Sequence, residues 1–333
     1  MATASEATRL AQVPCDKSEL REECEKLLQS LPKAQGWVGS PPLYKYEGNW
    51  YYSATLQGVI SSQKHFQSQH TDIILATIPK SGTTWLKAIG YSIVNRGRNA
   101  DGTGDINPLL TNNPHNMVPF LEINLYACKG VPDLSRMPPP RLFATHLPVS
   151  KMSAQYACCK VVYLSRNPRD TFTSDWNFTN KLRAVGEEAI SIEEAFDMFC
   201  NGISAFGPYW DHVLEYWKAS SERPGNIMFL KYEDLKNQPH HHFKKMAEFL
   251  GYPFSKEEEA KGVVDEMVKL CSFDHLSNLQ VNQSMNGKIN GVPNSIFFRR
   301  GNVGDSKNFL SSGMIDRLDR IVKDQFSPFG LEF

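Results

Sequence analysis

Neither sign of charge is in surplus in this chain: Lys plus Arg number 36, and Asp plus Glu number 36, in 333 residues. A balanced chain has no whole-protein field for gripping nucleic acid or an anionic membrane, so no such partner is expected and any anion site must be built locally. No run of about 18 apolar residues occurs, which excludes a membrane-spanning helix. The N-terminal stretch MATASEATRLAQVPCDKSELREE has no apolar core of the secretory kind, and its acids Glu6, Asp16 and Glu19 do not suit a transit peptide. Seven cysteines are scattered without a C-x-x-C pair, which removes the usual zinc and redox signatures. Reduced thiols and the missing leader together give a cytoplasmic expectation. The vicinal pair Cys158-Cys159 reads as two small buried hydrophobes. His240-His241-His242 offers no metal site, because adjacent helical side chains point in different directions.

What the chain does have is a succession of short apolar strands, Ile73–Thr77, Leu142–Thr145, Val161–Ser165 and Ile227–Leu230. Between and after them lie segments of helical period, Thr84–Asn95, Pro168–Leu182, Ile192–Tyr216 and Phe243–Leu250, and Lys17–Pro32 reads as an earlier helix ended by its proline. This alternation predicts an α/β fold, with a mostly parallel central sheet covered by helices on both faces. Residues 1–15 are expected to be a flexible tail and residues 16–333 one domain, since no linker divides them. The aromatic-rich stretch GSPPLYKYEGNWYYSATLQG reads as a loop, and residues 97–113 and 281–296 as two more, suited to lids or binding loops.

In an open parallel sheet, ligands bind beyond the carboxyl ends of the strands. The first strand runs into Thr77-Ile-Pro-Lys-Ser-Gly-Thr-Thr-Trp85. A small glycine-containing loop between strand and helix aims backbone N–H groups and the helix N-terminus at an anion. Lys80 adds a mobile charge, Thr83 and Thr84 add hydroxyls, and Trp85 adds a flat face for a base. The loop is not the nucleotide-triphosphate type, whose lysine directly follows the second glycine. The second strand ends in Thr145-His146-Leu147-Pro148, where the histidine is either a general base or a packing residue. The third runs into Arg166-Asn-Pro-Arg-Asp170, with Ser174 further on, which reads as a phosphate clamp or as a helix-start ion pair with Asp170. Phe298-Arg299-Arg300-Gly301 offers a second arginine grip.

With these residues assembled, the chain resembles the cytosolic sulfotransferases, and most of all their plant branch, which includes flavonol sulfotransferases. PKSGTTW, T-H-x-P, R-N-P-R-D-x-x-x-S, K-Y-E-D and R-R-G-x-x-G-D carry the likeness, supported by L-P-K-x-x-G-W at Leu31–Trp37. The resemblance implies a loop resembling a P-loop that holds the phosphosulfate of 3′-phosphoadenosine 5′-phosphosulfate (PAPS) as co-substrate, and no metal. It implies that Lys80, Ser81, Gly82, Thr83 and Thr84 surround that group. Trp85, Tyr232, Cys271 and Phe273 would surround the adenine, and Arg166, Ser174, Arg299, Arg300 and Gly301 the 3′-phosphate. By the same likeness His146 is the catalytic base, and Lys80 stabilises the leaving nucleotide. Phe120 and Phe178 match acceptor-pocket positions, and Trp50 and Tyr51 are candidates for the same wall. The acceptor is expected to be a small metabolite with a hydroxyl, aromatic or rigid and apolar: a flavonoid, steroid, jasmonate or related compound of specialised metabolism.

The chain departs from the family pattern at Ser306, where a tryptophan is common, at Cys271, where threonine is common, and at Ala144, where many animal members carry lysine. The animal dimer motif survives only as Lys307, Ser311, Ser312 and Asp316, so a monomer or weak homodimer is expected. Two other functions stay open: a non-catalytic binding module on the same fold, and a P-loop kinase or NTPase. The kinase reading lacks its G-K-[ST] step, and Arg166 at the end of the third strand would repel magnesium.

Overall fold

The computed structural model describes residues 12–13, 17–96, 107–127, 131–152, 158–183, 188–284, 287–289 and 291–333. Cys15, Cys128, residues 97–106 of the first loop and residues 285–286 and 290 of the second lie outside the described residues. Of the expected tail, Gln12–Val13 is described, as a short antiparallel pairing with Val131–Pro132, and the remainder lies outside.

Helix α1, Lys17–Ser30, opens the described domain and leads to an antiparallel sheet of β1 (Lys33–Gly36), β2 (Gly39–Tyr46) and β3 (Asn49–Tyr52). The stretch expected to be a loop is therefore a hairpin followed by helix α2, Ser53–His65. Pro41 and Pro42 argue against a ladder strand, since proline donates no hydrogen bond. The chain accommodates them beside the register shift between Ala34 and Gly36, where the pairing is already interrupted.

The central layer is a four-stranded parallel sheet. Its strands are β4 (Ile73–Ala76), β5 (Leu142–Thr145), β6 (Lys160–Ser165) and β7 (Ile227–Lys231), in the order β5-β4-β6-β7. Successive residues of β4 feed opposite cores. Ile74 and Ala76 join Phe143, Val161 and Tyr163, while Ile73 and Leu75 join Leu142, Val162 and Leu164. Both faces are thus buried, which is why these strands read as continuous apolar runs. Helix α3 (Thr83–Asn95) follows β4, and α4 (Pro168–Leu182) follows β6. At the amino end of the sheet the buried pair Arg141–Asp72 closes with hydrogen bonds of 2.6 and 2.7 Å.

The helix expected over Ile192–Tyr216 is two helices, α5 (Ile192–Cys200) and α6 (Tyr209–Glu222). Gly202 and Phe206 have positive φ, 76° and 65°, which no right-handed helix contains, and Pro208 has no N–H to continue one. The break packs on the hairpin: Phe206 N donates to Trp50 O at 2.7 Å, and Trp50 N to Gly207 O at 3.1 Å. Helices α7 (Pro239–Leu250) and α8 (Ser312–Phe326) follow, with shorter helices between them. Cys159 is buried as expected, but Cys158 is exposed, beside the Ser68 hydroxyl at 3.2 Å.

Candidate active site

The carboxyl ends of β4, β5 and β6 converge on one cavity of about 380 Å³. The β4–α3 loop bends sharply: Lys80 has φ 66° and Gly82 has φ 106°. A side chain at Gly82 would put its Cβ 2.9 Å from both Leu164 and Tyr232, so only glycine fits. Lys80 holds a left-handed conformation that costs a non-glycine residue about 1–3 kcal/mol, a strain found where function fixes the backbone.

His146 leaves β5 at the same end. Its Nδ1 lies 2.7 Å from Thr77 O and 3.2 Å from Thr77 Oγ1. A carbonyl only accepts, so Nδ1 carries the hydrogen and Nε2 the free lone pair. His146 lines the cavity, and Nε2 has no hydrogen-bond partner among the described residues. Burial holds the imidazole neutral, lowering its pKa to about 3 despite the Thr77 bond. The loop around it is pinned from both sides. His146 N donates to Glu122 Oε1 at 2.8 Å, and Thr145 Oγ1 donates to Glu122 Oε2 at 3.0 Å. His212 Nε2 meets His146 O at 2.9 Å, and His212 Nδ1 then accepts from the Tyr163 hydroxyl at 3.0 Å. Phe120 and Phe206 flank the ring at centroid distances of 4.5 and 5.2 Å.

Lys80 Nζ sits 3.6 Å from the centre of the Phe178 ring. Burial lowers its pKa from the lysine range, and Asp175 pulls it back up. Asp175 is 8% exposed and lines the cavity, and among the described residues its carboxylate accepts no hydrogen bond. Burial raises its pKa, with Lys80 opposing. Among the described residues, five basic side chains line the cavity, Lys80, Lys181, Lys236, Arg166 and Arg299, against the one carboxylate of Asp175. In a chain with no net charge, the local excess of basic side chains makes this cavity the place for an anion.

The far end of the cavity is built by two arginines and an aromatic cluster. Arg166 lies 4.6 Å over the Tyr232 ring, donates to Asn302 O at 2.7 Å and pairs with Asp170 at 3.6 Å. Asp170 also accepts from the amides of Gly304 and Ser306, at 2.7 and 2.9 Å, so it holds the second arginine loop against the start of α4. Asp305 takes Arg299 on one oxygen and Arg300 on the other, the latter at 2.7 Å. Gly301, φ 65°, lies under Phe273, whose ring an added Cβ would strike at 2.5 Å. Tyr232 donates to Gly301 O at 2.9 Å and meets Trp85 edge-on at 5.3 Å. Three buried donors there, Trp85 Nε1, Arg166 Nε and Arg299 Nε, have no hydrogen-bond partner among the described residues. Donors orphaned around a cation-lined cavity suit an anionic, base-bearing nucleotide such as PAPS.

Of the residues singled out in the sequence, Lys80, Gly82, Thr83, Thr84, Trp85, Phe120, His146, Arg166, Ser174, Phe178, Tyr232, Phe273, Arg299 and Gly301 line this one cavity. Others do not reach its wall. Ser81 is buried behind the loop beside Thr171 Oγ1 at 3.5 Å, Cys271 is buried with Sγ 3.4 Å from Ser92 Oγ, and half-exposed Arg300 turns to Asp305. Trp50 and Tyr51 are core residues, and it is their neighbour Tyr52 that faces the cavity. Asp175, Glu122, His115, His212 and Phe206 were not singled out. The one local signal among them was Gly207-Pro208, which marks the break that presents Phe206.

Comparison with known proteins gives the family. A sulfotransferase domain matches residues 70–330. "Cytosolic sulfotransferase 15" of Arabidopsis thaliana is 46% identical over 314 residues, covering 93% of this chain and 87% of the relative. "Cytosolic sulfotransferase 5" of the same plant is 45% identical over 319 residues, covering 95% and 98%. Among solved structures, an Arabidopsis thaliana "putative steroid sulphotransferase" superposes with a TM-score of 0.74 at 37% identity, covering 97% of this chain and 99% of that one. A mouse sulfotransferase complexed with PAP, the desulfated donor nucleotide, shares the fold with a TM-score of 0.65 at 22% identity, over 86% and 96% of the chains. No described helix is long and apolar enough to cross a membrane. The chain belongs to the sulfotransferase family, in the plant cytosolic branch of PAPS-dependent enzymes.

Proposed function

We propose that this enzyme transfers the sulfuryl group of PAPS to a hydroxyl of a small, rigid and largely apolar acceptor, with His146 as general base and Lys80 stabilising the leaving nucleotide. The observation that carries the reading is the His146 imidazole. It is neutral, bonded through Nδ1–H to Thr77 O at 2.7 Å, and free at Nε2 in the cavity that Lys80 also lines. Nε2 takes the proton of the acceptor hydroxyl as that oxygen bonds to sulfur. The bond from sulfur to the bridging oxygen breaks in line, and its electron pair goes to the 5′-phosphate of the departing nucleotide. Lys80 and the first amides of α3 face that charge as it develops, where preorganised donors act most strongly. Arg166, Arg299 and Ser174 would hold the 3′-phosphate, and Trp85, Tyr232 and Phe273 the base.

The acceptor end is walled by Phe120, Ile123, Phe206, Val292 and Phe297. Such a wall suits flat or rigid hydroxylated metabolites such as flavonoids, steroids and jasmonate derivatives. The Arabidopsis structure at 37% identity is described as that of a "putative steroid sulphotransferase", and a steroid falls in this class.

A thermal melt with PAP, ADP and ATP–Mg²⁺ at equal concentration tests the donor. Ligand at about 100 times Kd adds about 2.7 kcal/mol, a rise of several degrees. PAP alone should give that rise. Sulfuryl transfer from labelled PAPS to a panel of hydroxylated aromatics then tests the base. A shift with ATP–Mg²⁺ and none with PAP would overturn the reading, and a PAP shift without transfer to any acceptor would favour a binding module.

A further inference from the structure

Behind the donor loop lies a buried polar chain to which the proposed mechanism gives no part. Lys87, fully buried in α3, places Nζ 3.1 Å from His115 Nδ1, and His115 Nε2 lies 2.9 Å from Thr84 Oγ1. The geometry is held firmly. Lys87 Nζ rests 3.4 Å from the centre of the Phe120 ring, the His115 ring packs on Phe297 at 4.3 Å, and His115 N donates to Asn113 Oδ1 at 2.9 Å. Asn113 is itself tied to Asn282 at 2.8 Å. Among the described residues Thr84 Oγ1 has no second hydrogen-bond partner, and both Thr84 and His115 line the cavity.

We propose that Lys87 and His115 are positioning residues that aim the Thr84 hydroxyl hydrogen at the donor's anionic group. The inference rests on the donor reading above. A hydroxyl has one hydrogen to give and lone pairs to receive. An anion beside Thr84 claims the hydrogen, so only a lone pair is left to face His115. Nε2 must then be the protonated nitrogen, and Nδ1 must accept. As an ammonium Lys87 can only donate to Nδ1; as an amine, the form that burial favours, it can donate or accept. An ammonium at Lys87 therefore selects the imidazole tautomer, and the tautomer sets the hydroxyl; with an amine there, the anion at Thr84 sets the same order from the other end and Lys87 completes it. Burial also holds His115 neutral, well below its ordinary range, so its second nitrogen can act as an acceptor.

Isostere logic supplies the test, with PAP as the probe and calorimetric Kd as the readout. The amide nitrogen of glutamine reaches about where imidazole Nε2 does, and that of asparagine about where Nδ1 does. His115→Gln keeps a donor toward Thr84 and should bind PAP within about twofold of the wild type. His115→Asn loses that donor and should weaken PAP about three- to tenfold, the scale of one oriented hydrogen bond. Thr84→Val should cost a similar factor alone, and less than about twofold on top of His115→Asn. Equal PAP affinity in both His115 variants, or a Thr84→Val penalty unchanged between backgrounds, would refute the inference. Absence of PAP binding by the wild type would instead sink the donor reading. Should His115→Asn fail to fold, the tautomer can be read in the wild-type protein by long-range ¹⁵N–¹H spectra of its imidazoles. Nε2–H at His115 with PAP bound supports the chain, and Nδ1–H overturns it.

Discussion

His146→Asn is the substitution that separates base from scaffold. The asparagine amide nitrogen can keep the bond that Nδ1 makes to Thr77 O at 2.7 Å, but nothing basic replaces Nε2. The backbone contacts at this position, N to Glu122 Oε1 at 2.8 Å and O from His212 Nε2 at 2.9 Å, do not depend on the side chain. Among the described residues no hydrogen bond or ring contact joins the His146 ring to Arg166 or Tyr232; its partners are Thr77, Phe120 and Phe206. The expected loss is therefore confined to the proton transfer, about 10² to 10⁴-fold in kcat, which is about 2.7 to 5.4 kcal/mol of barrier. PAP affinity should stay within about twofold by calorimetry. The pH profile adds a second constraint. Burial lowers the imidazole pKa to about 3, so the base remains unprotonated at every pH above about 4. Donor kcat/KM, which reports the free enzyme, should then show no acid limb from His146 between pH 5 and 8, where an ordinary histidine would titrate. A kcat within tenfold of the wild type, or PAP binding lost together with turnover, would refute the assignment of His146 as base.

Lys80 must be charged to meet the leaving nucleotide, and burial lowers its pKa from the lysine range while Asp175 raises it. kcat/KM for the donor should therefore fall as pH rises, at a lower pH than an ordinary lysine would set, and Asp175→Asn should move that fall to still lower pH. An unmoved or upward-shifted limb would remove the coupling between the two. Gly301→Ala forces a side chain onto a left-handed residue, φ 65°, and into the Phe273 ring at 2.5 Å. PAP affinity should drop by about tenfold or more, with a stability loss of about 1–3 kcal/mol, and unchanged PAP affinity would mean that Phe273 does not touch the nucleotide. Arg141→Met leaves Asp72, 0% exposed, without its bidentate partner. Urea denaturation should show a loss of about 3–5 kcal/mol; a cost below 1 kcal/mol would mean that the pair does not hold this end of the sheet.

The cavity was readable in the sequence because its chemistry sits where strands end. β4, β5 and β6 are buried on both faces, so each reads as an apolar run, and the first polar residues after each run are the ones at the carboxyl edge. Lys80, His146 and Arg166 are recognisable for that reason before any contact is known. Residues whose role comes from tertiary contact leave no such mark. Glu122 reaches His146 across 24 positions and His212 across 66, and neither separation has a local pattern. His115 looks like any loop histidine until Lys87, one turn into α3, is seen to be buried against it. Asp175 follows Ser174 on α4, and its sequence neighbours give no sign that it faces Lys80.

The errors in secondary structure have the same origin. The apolar period of Ile192, Ala195, Phe196 and Phe199 continues through Ile203, so period alone extends one helix to Tyr216. Backbone conformation decides otherwise at Gly202, Phe206 and Pro208. The interruption has a function in the fold: it delivers Phe206 to the His146 ring at 5.2 Å, while its amide holds Trp50 O at 2.7 Å. Trp50 and Tyr51 are consequently consumed as framework, with Tyr51 edge-on to Phe206 at 5.5 Å, and the cavity receives Tyr52 instead. An aromatic run thus supplies both the support and the wall: strand alternation sends Tyr51 and Tyr52 to opposite faces, and the helix break packs Phe206 on the Tyr51 side.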